Sequence, residues 1–432
     1  MPGGMNDLQS HPLRSVCTPN LPDILRALNI SLLVSTYQAW KVVLVRADGD
    51  VIATHYRTVE RPMGLAVRQN RLSIGGKQGV WHLQNVSTVG RKLDPTGKRD
   101  ACYLPQRVQV TGDIDVHEMA WTAEDELWAV NTRFCCLCTL DDDHSFTPRW
   151  RPDFVTALAP QDRCHLNGLA LVQGRPKYVT ALGETDTPGG WRENKRDGGI
   201  LIDVETNEVL LRGISMPHSP RWHDGKLCLL ESGEGSLAVV DLEAGTTSTV
   251  TKLPGYTRGL DFVGPLAFIG LSQVRESATF SGVPLVERLD ERTCGIWVVN
   301  IRTGKTVASL RFEEGVQEIF SVQVLRDITC PEIMAWDDER LSQSRALLDE
   351  ALAEMGRPPR SHLQVSTNRV VGQGSTVARG AAHAGMAGQN PEGLRLQRQY
   401  TSRSRPDTTR PSYPSRISAI SASSATPWKS WW

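Results

Sequence analysis

The sequence of 432 residues contains no apolar run near the ~18 residues that a membrane-spanning helix requires. Residues 1–29 lack the apolar segment and the small-residue cleavage site of a secretory signal peptide. The nine cysteines do not show the spacing of a small disulfide framework. Because free thiols without a signal peptide are typical of a reducing compartment, we expect a cytoplasmic protein without membrane contact.

Several motifs of known chemistry are also absent. The sequence has no P-loop, no G-x-G-x-x-G after a strand and no G-x-S-x-G elbow. Cys135, Cys136 and Cys138 form a C-C-x-C string, in which Cys136 and Cys138 would share one face of a strand. No second cysteine pair with the spacing of a zinc site accompanies them, so we expect these thiols to pack in the core.

Charge is balanced overall but unevenly distributed. The formal net charge is zero, whereas residues 357–432 contain ten Arg and one Lys against Glu392 and Asp407, a net charge of +9. The remaining, mildly acidic part of the chain does not suit nucleic-acid binding. Residues 356–432 are rich in Ser, Arg, Gly and Pro, which predicts a disordered basic tail. Weak, salt-sensitive contact with polyanions through this tail is the only nucleic-acid binding we expect.

One pattern recurs six times along the chain. A polar pair opens an alternating strand, a short turn follows, and a second apolar strand ends in polar residues. Four short strands per unit without helical periodicity are typical of propeller blades. We therefore predict an all-β, six-bladed propeller over residues 30–332, with seven blades as the alternative. The copies begin at Met63, His117, His165, His218, Arg258 and Glu318.

The last repeat is short, and strand-like sequence near the N-terminus can complete it. SLLVSTY and KVVLVRADGDVIATHYRT would join the strand at Glu318 and close the ring, which removes exposed sheet edges. Residues 1–29 are then an N-terminal extension. Apolar residues at helical spacing predict an amphipathic helix over residues 336–355. Residues 185–199 and 274–292 form loops longer than the repeat, where function tends to lie.

Five strings occur in a specific order: CHLNGLA, YVTALGETDTPGGWRENKRDGG, MPHSPRWHDGKL, TRGLDF and IGLSQVRES. Together they resemble a bacterial family of conserved hypothetical proteins, a domain of unknown function for which a six-bladed propeller is predicted. The resemblance covers residues 32–331 and implies fold and extent, but no activity and no site residues. FCCLCTL is richer in cysteine than that family. A weaker similarity, through the Asn-Gly of HLNGLA, is to gluconolactonase and regucalcin propellers, which hold a divalent metal with Glu, Asn and Asp.

The polar residues of the repeats predict a binding site. In a propeller, the loop that enters the innermost strand and the loop after the second strand lie on one face, here called the top face. Polar residues in these loops should therefore converge around the channel. The predicted ligand-binding residues are His117, Asn131, Arg133, His165, Asn167, Glu184, His218, Arg221, Glu231, Arg258, Gln273, Arg275 and Glu318.

His117, His165 and His218 occupy equivalent positions in three consecutive repeats. Three neutral imidazoles facing one axis could bind Zn²⁺ or Fe²⁺, with Glu231 as a nearby carboxylate. Ca²⁺ is the other divalent cation considered. In the competing interpretation, each histidine caps loops of its own blade or binds an organic ligand through hydrogen bonds.

The arginines of the top face also allow two interpretations. Arg133, Arg221, Arg258 and Arg275 could bind an anionic ligand, because a guanidinium pairs well with carboxylate or phosphate. The alternative is a set of ion pairs between blades, with Glu184, Glu231 and Glu276 as partners.

Three function hypotheses follow from these features. The first is a binding module that takes a small molecule or peptide at the top face. The second is a metal-dependent hydrolase or lyase with a histidine-lined channel. The third is a scaffold for a protein partner, with the tail as a tether. Trp191, in the first long loop, would serve either as a lid over a ligand or as a packing anchor.

Overall fold

Six sheets surround a central channel, and each sheet forms one blade of a propeller. The computed structural model describes residues 14–273 and 282–347. In five of the blades the four strands nearest the channel follow chain order outward, as in a regular propeller. The six-bladed prediction is thereby confirmed over the seven-bladed alternative.

The N-terminal elements come first in chain order. The chain starts with strand β1 and a short helix, α1, before it enters blade 1. Pro22 in the first turn of α1, Asp23 beside it and Arg26 in the last turn are all favourable for a helix. The elements are β1 (Ser15–Cys17), α1 (Leu21–Ala27), β2 (Ile30–Thr36), β3 (Lys41–Asp48) and β4 (Val51–Thr58).

Blades 2 to 6 follow, and the last innermost strand, β25 (Ser321–Arg326), returns to blade 1. A short helix, α2 (Ser87–Gly90), lies between the third and fourth strands of blade 2. Blade 2 contains β5 (Leu65–Arg68), β6 (Arg71–Gly75), β7 (Gly79–Asn85) and β8 (Ala101–Val110). Blade 3 contains β9 (Val116–Trp121), β10 (Leu127–Asn131), β11 (Cys136–Thr139) and β12 (Thr147–Trp150). Blade 4 contains β13 (Leu166–Val172), β14 (Arg175–Ala181), β15 (Gly199–Asp203) and β16 (Val209–Ile214). Blade 5 contains β17 (Pro217–His223), β18 (Lys226–Glu231), β19 (Ser236–Asp241) and β20 (Thr246–Lys252). Blade 6 contains β21 (Tyr256–Val263), β22 (Leu266–Ser272), β23 (Cys294–Asn300) and β24 (Lys305–Phe312), and the chain continues to β25 (Ser321–Arg326) and β26 (Pro331–Ile333).

Burial explains which sequences form inner and outer strands. The second strand of blade 6, LAFIGLS, is buried along almost its whole length because neighbouring blades cover both of its faces. The outermost strand of blade 5, TTSTVTK, is mostly exposed and rich in threonine, which suits an exposed edge. All nine cysteines are free, and Cys136 and Cys138 are buried within β11, as packing residues would be.

The N-terminal strands close the ring as predicted. β2 pairs antiparallel with β25, and Leu32 lies opposite Val324 in that pairing. Ser35 lies opposite Ser321 at the other end of the same pair of strands. Blade 1 is thus built from both ends of the described chain, which leaves the ring without an open seam.

Residues 14–29, assigned to an extension, contribute to the propeller. β1 extends blade 6 by pairing with β24, where Ser15 lies opposite Phe312. In α1, Leu21 and Leu25 are fully buried against blades 1 and 6. A strand of three residues and a helix of two turns are too short to give a clear periodicity in the sequence.

At the other end, the chain leaves the ring along blade 2. β26 pairs in parallel with the outer strand β8, and Pro331 lies opposite Ala101. The predicted helix at residues 336–355 contains a 3-10 helix over Glu339–Gln343, while residues 348–355 lie outside the described part of the chain. The tail at residues 356–432 also lies outside it, so both assignments remain predictions. Within residues 14–273 and 282–347, no helix is long and apolar enough to cross a membrane.

Candidate functional site

The three histidines lie at the top face, where the innermost strands of blades 3, 4 and 5 begin. His117 is the second residue of β9, His165 immediately precedes β13, and His218 is the second residue of β17. All three side chains are buried. Equivalent positions in the repeat have therefore placed three imidazoles around one end of the channel.

His117 is oriented by its own blade and the next one. Its Nδ1 lies 3.0 Å from the backbone oxygen of Asp115 and 2.8 Å from Oγ1 of Thr132. The Thr132 hydroxyl donates in turn to the backbone oxygen of Leu166, at 2.6 Å. Since a carbonyl only accepts hydrogen bonds, Nδ1 of His117 carries the proton.

His218 repeats this arrangement two blades further on. Its Nδ1 lies 3.0 Å from the backbone oxygen of Met216 and 3.0 Å from Oγ of Ser232. The Ser232 hydroxyl donates to the backbone oxygen of Thr257 at 2.5 Å. Nδ1 of His218 is therefore the protonated nitrogen, which makes Nε2 the acceptor of a neutral ring. The contacts of Nδ1 agree with the interpretation in which each histidine caps loops of its own blade.

Burial keeps two of the imidazoles neutral. Desolvation lowers the pKa of His117 well below its ordinary value, and the nearby charges of Arg258 and His165 lower it further. Desolvation also lowers the pKa of His218, with the same two neighbours adding to the effect. At neutral pH, the top face thus contains neutral imidazoles beside a guanidinium.

His165 is held by a carboxylate rather than by a carbonyl. Its Nδ1 lies 2.8 Å from Oδ1 of Asp162, and Nε1 of Trp191 donates to Oδ2 of the same carboxylate at 2.9 Å. Burial tends to raise the pKa of Asp162, but His165, Arg192 and the Trp191 hydrogen bond lower it overall. The ring centroid of His165 lies 4.4 Å from that of Trp191 and 4.8 Å from that of His117.

Arg258 and aromatic rings form the adjacent wall of the site. The Arg258 guanidinium carbon lies 3.5 Å from the ring centroid of Phe320, and Tyr37 stacks on Phe320 at 6.0 Å. Arg61 hydrogen-bonds to the Tyr37 hydroxyl and lies over its ring. Burial lowers the pKa of Arg258, whereas Tyr256 and other acidic groups raise it. Arg258 is half-buried as a whole residue, and Nη2 of its guanidinium is buried within the site.

Two long loops cover one side of this site. In the first loop, the 3-10 helix Gly190–Glu193 carries the buried Trp191; in the second, helix α3 (Pro284–Arg288) carries the buried Leu285. Both side chains belong to one apolar cluster that also includes Tyr256. Trp191 therefore serves as a packing anchor above His165. Residues 274–281 of the second loop lie outside the described residues.

Three predicted site residues are engaged in bonds within or between blades. Glu184 forms an ion pair with Arg212 of the outer strand β16, with N–O distances of 2.6 and 3.0 Å. Glu231 accepts hydrogen bonds from Ser236 and Thr247 of its own blade. Asn167 joins blades 4 and 5 by donating to the backbone oxygen of Pro217 at 3.0 Å.

The other predicted residues are distributed around the channel. Asn131 is fully buried, and its side-chain oxygen accepts from the backbone nitrogen of Phe134 at 3.1 Å. Arg133 forms an ion pair with Asp113 at 2.8 Å. Gln273 donates through its backbone nitrogen to Gln317, and Glu318 is half-buried near Arg258. Arg221 lies further along the channel and pairs with Glu118, whereas Arg275 and Glu276 lie outside the described residues.

Sequence reasoning missed the acids that accompany the histidines. Asp115 precedes His117 by two residues, and Asp162 precedes His165 by three. Both aspartates have positive φ, 56° and 48° respectively, a conformation that non-glycine residues adopt uncommonly. Burial raises the pKa of Asp115, while Arg133 and His165 lower it in part. An aspartate before each of these two histidines was the available signal.

Backbone irregularities explain why side chains at these strand starts depart from simple alternation. The register between first and second strands shifts near the strand start in four consecutive blades. A β-bulge changes the direction of the side chains beside it. The rule that every second residue of a strand faces the same side therefore does not hold at those positions. The shifts lie between Ala129 and Asn131, Leu166 and Gly168, His218 and Arg221, and Thr257 and Leu260.

The metal prediction was based on three converging imidazoles. Within residues 14–273 and 282–347, no three or more His, Cys, Asp or Glu side chains form a group that could hold a metal ion. His117 and His165 are in ring contact, while His218 contacts Tyr256 instead, with ring centroids 5.8 Å apart. A divalent metal at this site therefore stays a prediction.

Comparison with known proteins identifies a family but no activity. No curated protein matches the chain. One similar solved structure is titled a nidogen/laminin complex, with 8% identity, a TM-score of 0.45, and coverage of 69% of this chain and 99% of that chain. Another is a protein of unknown function from Bacteroides caccae, with 10% identity, a TM-score of 0.43 and the same coverages. The model of a family described as a domain of unknown function, DUF4915, matches residues 19–334, and the chain belongs to this family.

Proposed function

We propose that the propeller is a binding module whose top face takes a small organic anion, a carboxylate that also carries a hydroxyl or amino group. The observation that supports this most directly is the position of Arg258, half-buried and stacked on Phe320 beside neutral His117 and His218. Small-molecule sites are typically concave and contain a few placed polar groups among aromatic walls.

The guanidinium supplies the recognition of charge. Arginine has five N–H donors, so Arg258 can bind a ligand carboxylate in addition to its contacts within the protein. Stacking on Phe320 fixes the plane of the guanidinium, and a planar fork suits the two oxygens of a carboxylate. Unlike a carboxylate such as Glu318, the neutral imidazoles beside it neither repel the anion nor compete with it for the guanidinium.

The imidazoles recognise a hydrogen-bond donor of the ligand, next to its carboxylate. Because Nδ1 of His218 is protonated and bound to Met216 and Ser232, its Nε2 can accept a hydrogen bond from a ligand hydroxyl or amine. The same hydrogen bonds fix the orientation of the ring before a ligand arrives, which reduces the entropy lost on binding.

The test is a thermal-shift and calorimetric screen of small 2-hydroxy and 2-amino acids, with the matching amides as controls that lack the carboxylate. We expect a binding acid to raise the melting temperature by mass action, whereas its amide does not. Arg258→Met should weaken acid binding by at least 10-fold, the effect of losing about 1.4 kcal/mol. Arg212→Met, at an exposed ion pair, is the matched control and should bind normally.

Two results would contradict this proposal: equal binding of acids and amides, or acid binding that Arg258→Met leaves unchanged. Elemental analysis of the same purified protein tests the alternative of a metal-dependent hydrolase or lyase. That alternative draws support from the Nδ1 hydrogen bonds of His117 and His165, since metal-binding histidines are usually oriented this way. Stoichiometric Zn or Fe, lost in His117→Ala, would favour the enzyme.

A further inference from the structure

A cavity lies at the opposite end of the channel from the histidines. Its volume is about 230 Å³, and its walls come from the later residues of the innermost strands β5, β9, β13, β17 and β25. The histidines stand at the starts of these strands, so the cavity belongs to the bottom face. Its polar and aromatic lining consists of Glu118, Trp121, Arg221, Trp222 and Gln323.

An ion pair separates this cavity from the top-face site. Arg221 of β17 reaches across the channel to Glu118 of β9, with N–O distances of 2.9 and 3.2 Å. Their side chains are 17% and 6% exposed, so water screens the pair little. The two charges neutralise each other, and a charged ligand would gain little from meeting them. Because a guanidinium has five N–H donors and a carboxylate has about four lone-pair sites, both groups keep hydrogen-bonding capacity beyond this pair and the bonds of Arg221 to the backbone oxygens of Leu169 and Pro220.

Two indole rings flank the cavity and are held in place by neighbouring side chains. Trp121 ends β9 and is covered by Arg71, whose guanidinium carbon lies 4.1 Å from the ring centroid. Trp222, near the end of β17, stacks on Tyr178 with centroids 6.1 Å apart. Trp222 is 37% exposed, so the part of the indole that Tyr178 does not cover can contact a ligand.

We propose that this bottom-face cavity binds a single pyranose ring of an uncharged saccharide. A pyranose presents apolar C–H groups that pack on an indole, and hydroxyls that both donate and accept hydrogen bonds. Glu118 accepts, Arg221 donates and Gln323 does both, which matches hydroxyls on neighbouring ring carbons. A purely apolar ligand would bury the ion pair without satisfying it, at a cost in affinity.

The size of the cavity sets the size of the ligand. Small-molecule sites typically have volumes of ~300–1,000 Å³, and this cavity lies just below that range. It therefore accommodates one sugar ring, with further units of a longer glycan directed into solvent past Trp222. This site is independent of the one proposed at the top face.

The experiment uses full-length protein and a panel of methyl pyranosides with gluco, galacto and manno configurations. We expect saturation-transfer NMR to show contact at the ring C–H protons of at least one glycoside, with saturable quenching of tryptophan fluorescence. Trp222→Ala should weaken that binding by at least 10-fold. Trp336→Ala, at another exposed tryptophan, is the matched control and should bind like the wild type. Circular dichroism verifies that both variants are folded.

The proposal is overturned if no glycoside of the panel gives saturable binding, or if Trp222→Ala binds as well as the Trp336→Ala control. Repeating the titration with a saturating carboxylic acid distinguishes the two sites. Glycoside affinity should not change, whereas competition would place the sugar at the top face and refute a separate site. Failure of the acid screen leaves the outcome of the glycoside experiment unaffected, because its readout depends on Trp222.

Discussion

At the scale of single residues, Glu332 shows how a buried carboxylate fastens the end of the described chain. It belongs to β26, lies 2.6 Å from Nε2 of His55, and accepts hydrogen bonds from Arg57 at 2.5 Å and from Arg99 at 3.3 Å. Burial alone would raise the pKa of Glu332, but these three neighbours lower it from an ordinary value of 4.5 to about 2. The ionised form is therefore the one that stabilises the fold.

This arrangement predicts a pH-dependent loss of stability. A carboxyl whose pKa is lowered on folding contributes stability above its ordinary pKa and loses it as pH falls toward the folded value. Glu332→Gln should lower the free energy of unfolding by about 2 kcal/mol at pH 7, the usual range for hydrogen bonds to a charged group. The difference from wild type should shrink between pH 4.5 and pH 2, as measured by urea denaturation.

Glu313→Gln is the control for this prediction. Glu313 also forms ion pairs, with Arg14 and Arg311, but at the surface, where such pairs contribute about 0–1 kcal/mol. A Glu332→Gln penalty that stayed constant from pH 7 to pH 2 would show that the carboxylate acts through packing rather than through charge.

At the scale of elements, helix α1 packs between blades 1 and 6 and fills the space between them. Leu25 is fully buried in a cluster with Leu32 and Val34 of β2 and with Ile296 and Val298 of β23. A seven-residue helix is not stable alone, so these apolar contacts hold it in place. The N-terminal residues thus stabilise the same seam that β2 and β25 close.

Leu25→Ala should lower the free energy of unfolding by about 2–5 kcal/mol, because the substitution removes buried methyl groups and leaves a cavity. Leu158→Ala is the control, since Leu158 is 42% exposed and should change stability by about 0.5 kcal/mol or less. Chemical denaturation followed by tryptophan fluorescence gives both values. Equal effects of the two substitutions would mean that α1 detaches without loss to the ring.

At the scale of the whole molecule, the ring is closed by hydrogen bonds between its two ends and between neighbouring blades. Buried hydroxyls at the ends of second strands donate to a backbone oxygen of the next blade's innermost segment. This link recurs in four blades and ties each innermost strand to its neighbour. The donors are Ser35 to Met63, Thr132 to Leu166, Ser232 to Thr257, and Ser272 to Ile319.

Because residues 356–432 are rich in Ser, Arg, Gly and Pro, they cannot bury enough apolar surface to form a core, and the basic tail should add little stability. Deletion of residues 356–432 should leave the melting temperature within about 2 °C of the full-length value, a shift that corresponds to less than ~1 kcal/mol in a domain of this size. Differential scanning calorimetry measures this directly. A fall of many degrees would show that the tail packs on the propeller.

The propeller fold could be predicted because its sequence signals, strand alternation and turn residues, lie within short segments of the chain. Strands such as GILIDVET and SLAVVDLEAG repeat the same alternation and end in similar turns. A short sixth unit with spare strands at the N-terminus led directly to the pairing of β2 with β25. The repeat did not predict β1 and α1, because neither element is long enough to show a periodic pattern of apolar residues.

The sequence by itself determined the number of blades, the closure of the ring and the three histidines at equivalent strand starts. Only the tertiary structure decided which polar side chains face the channel. Glu231 is bound within its own blade, whereas Phe320 and Trp191, distant in sequence, lie beside the histidines. The physical reason is that alternation within a strand is a local rule, while bulges at the strand starts and packing between blades set the final direction of each side chain.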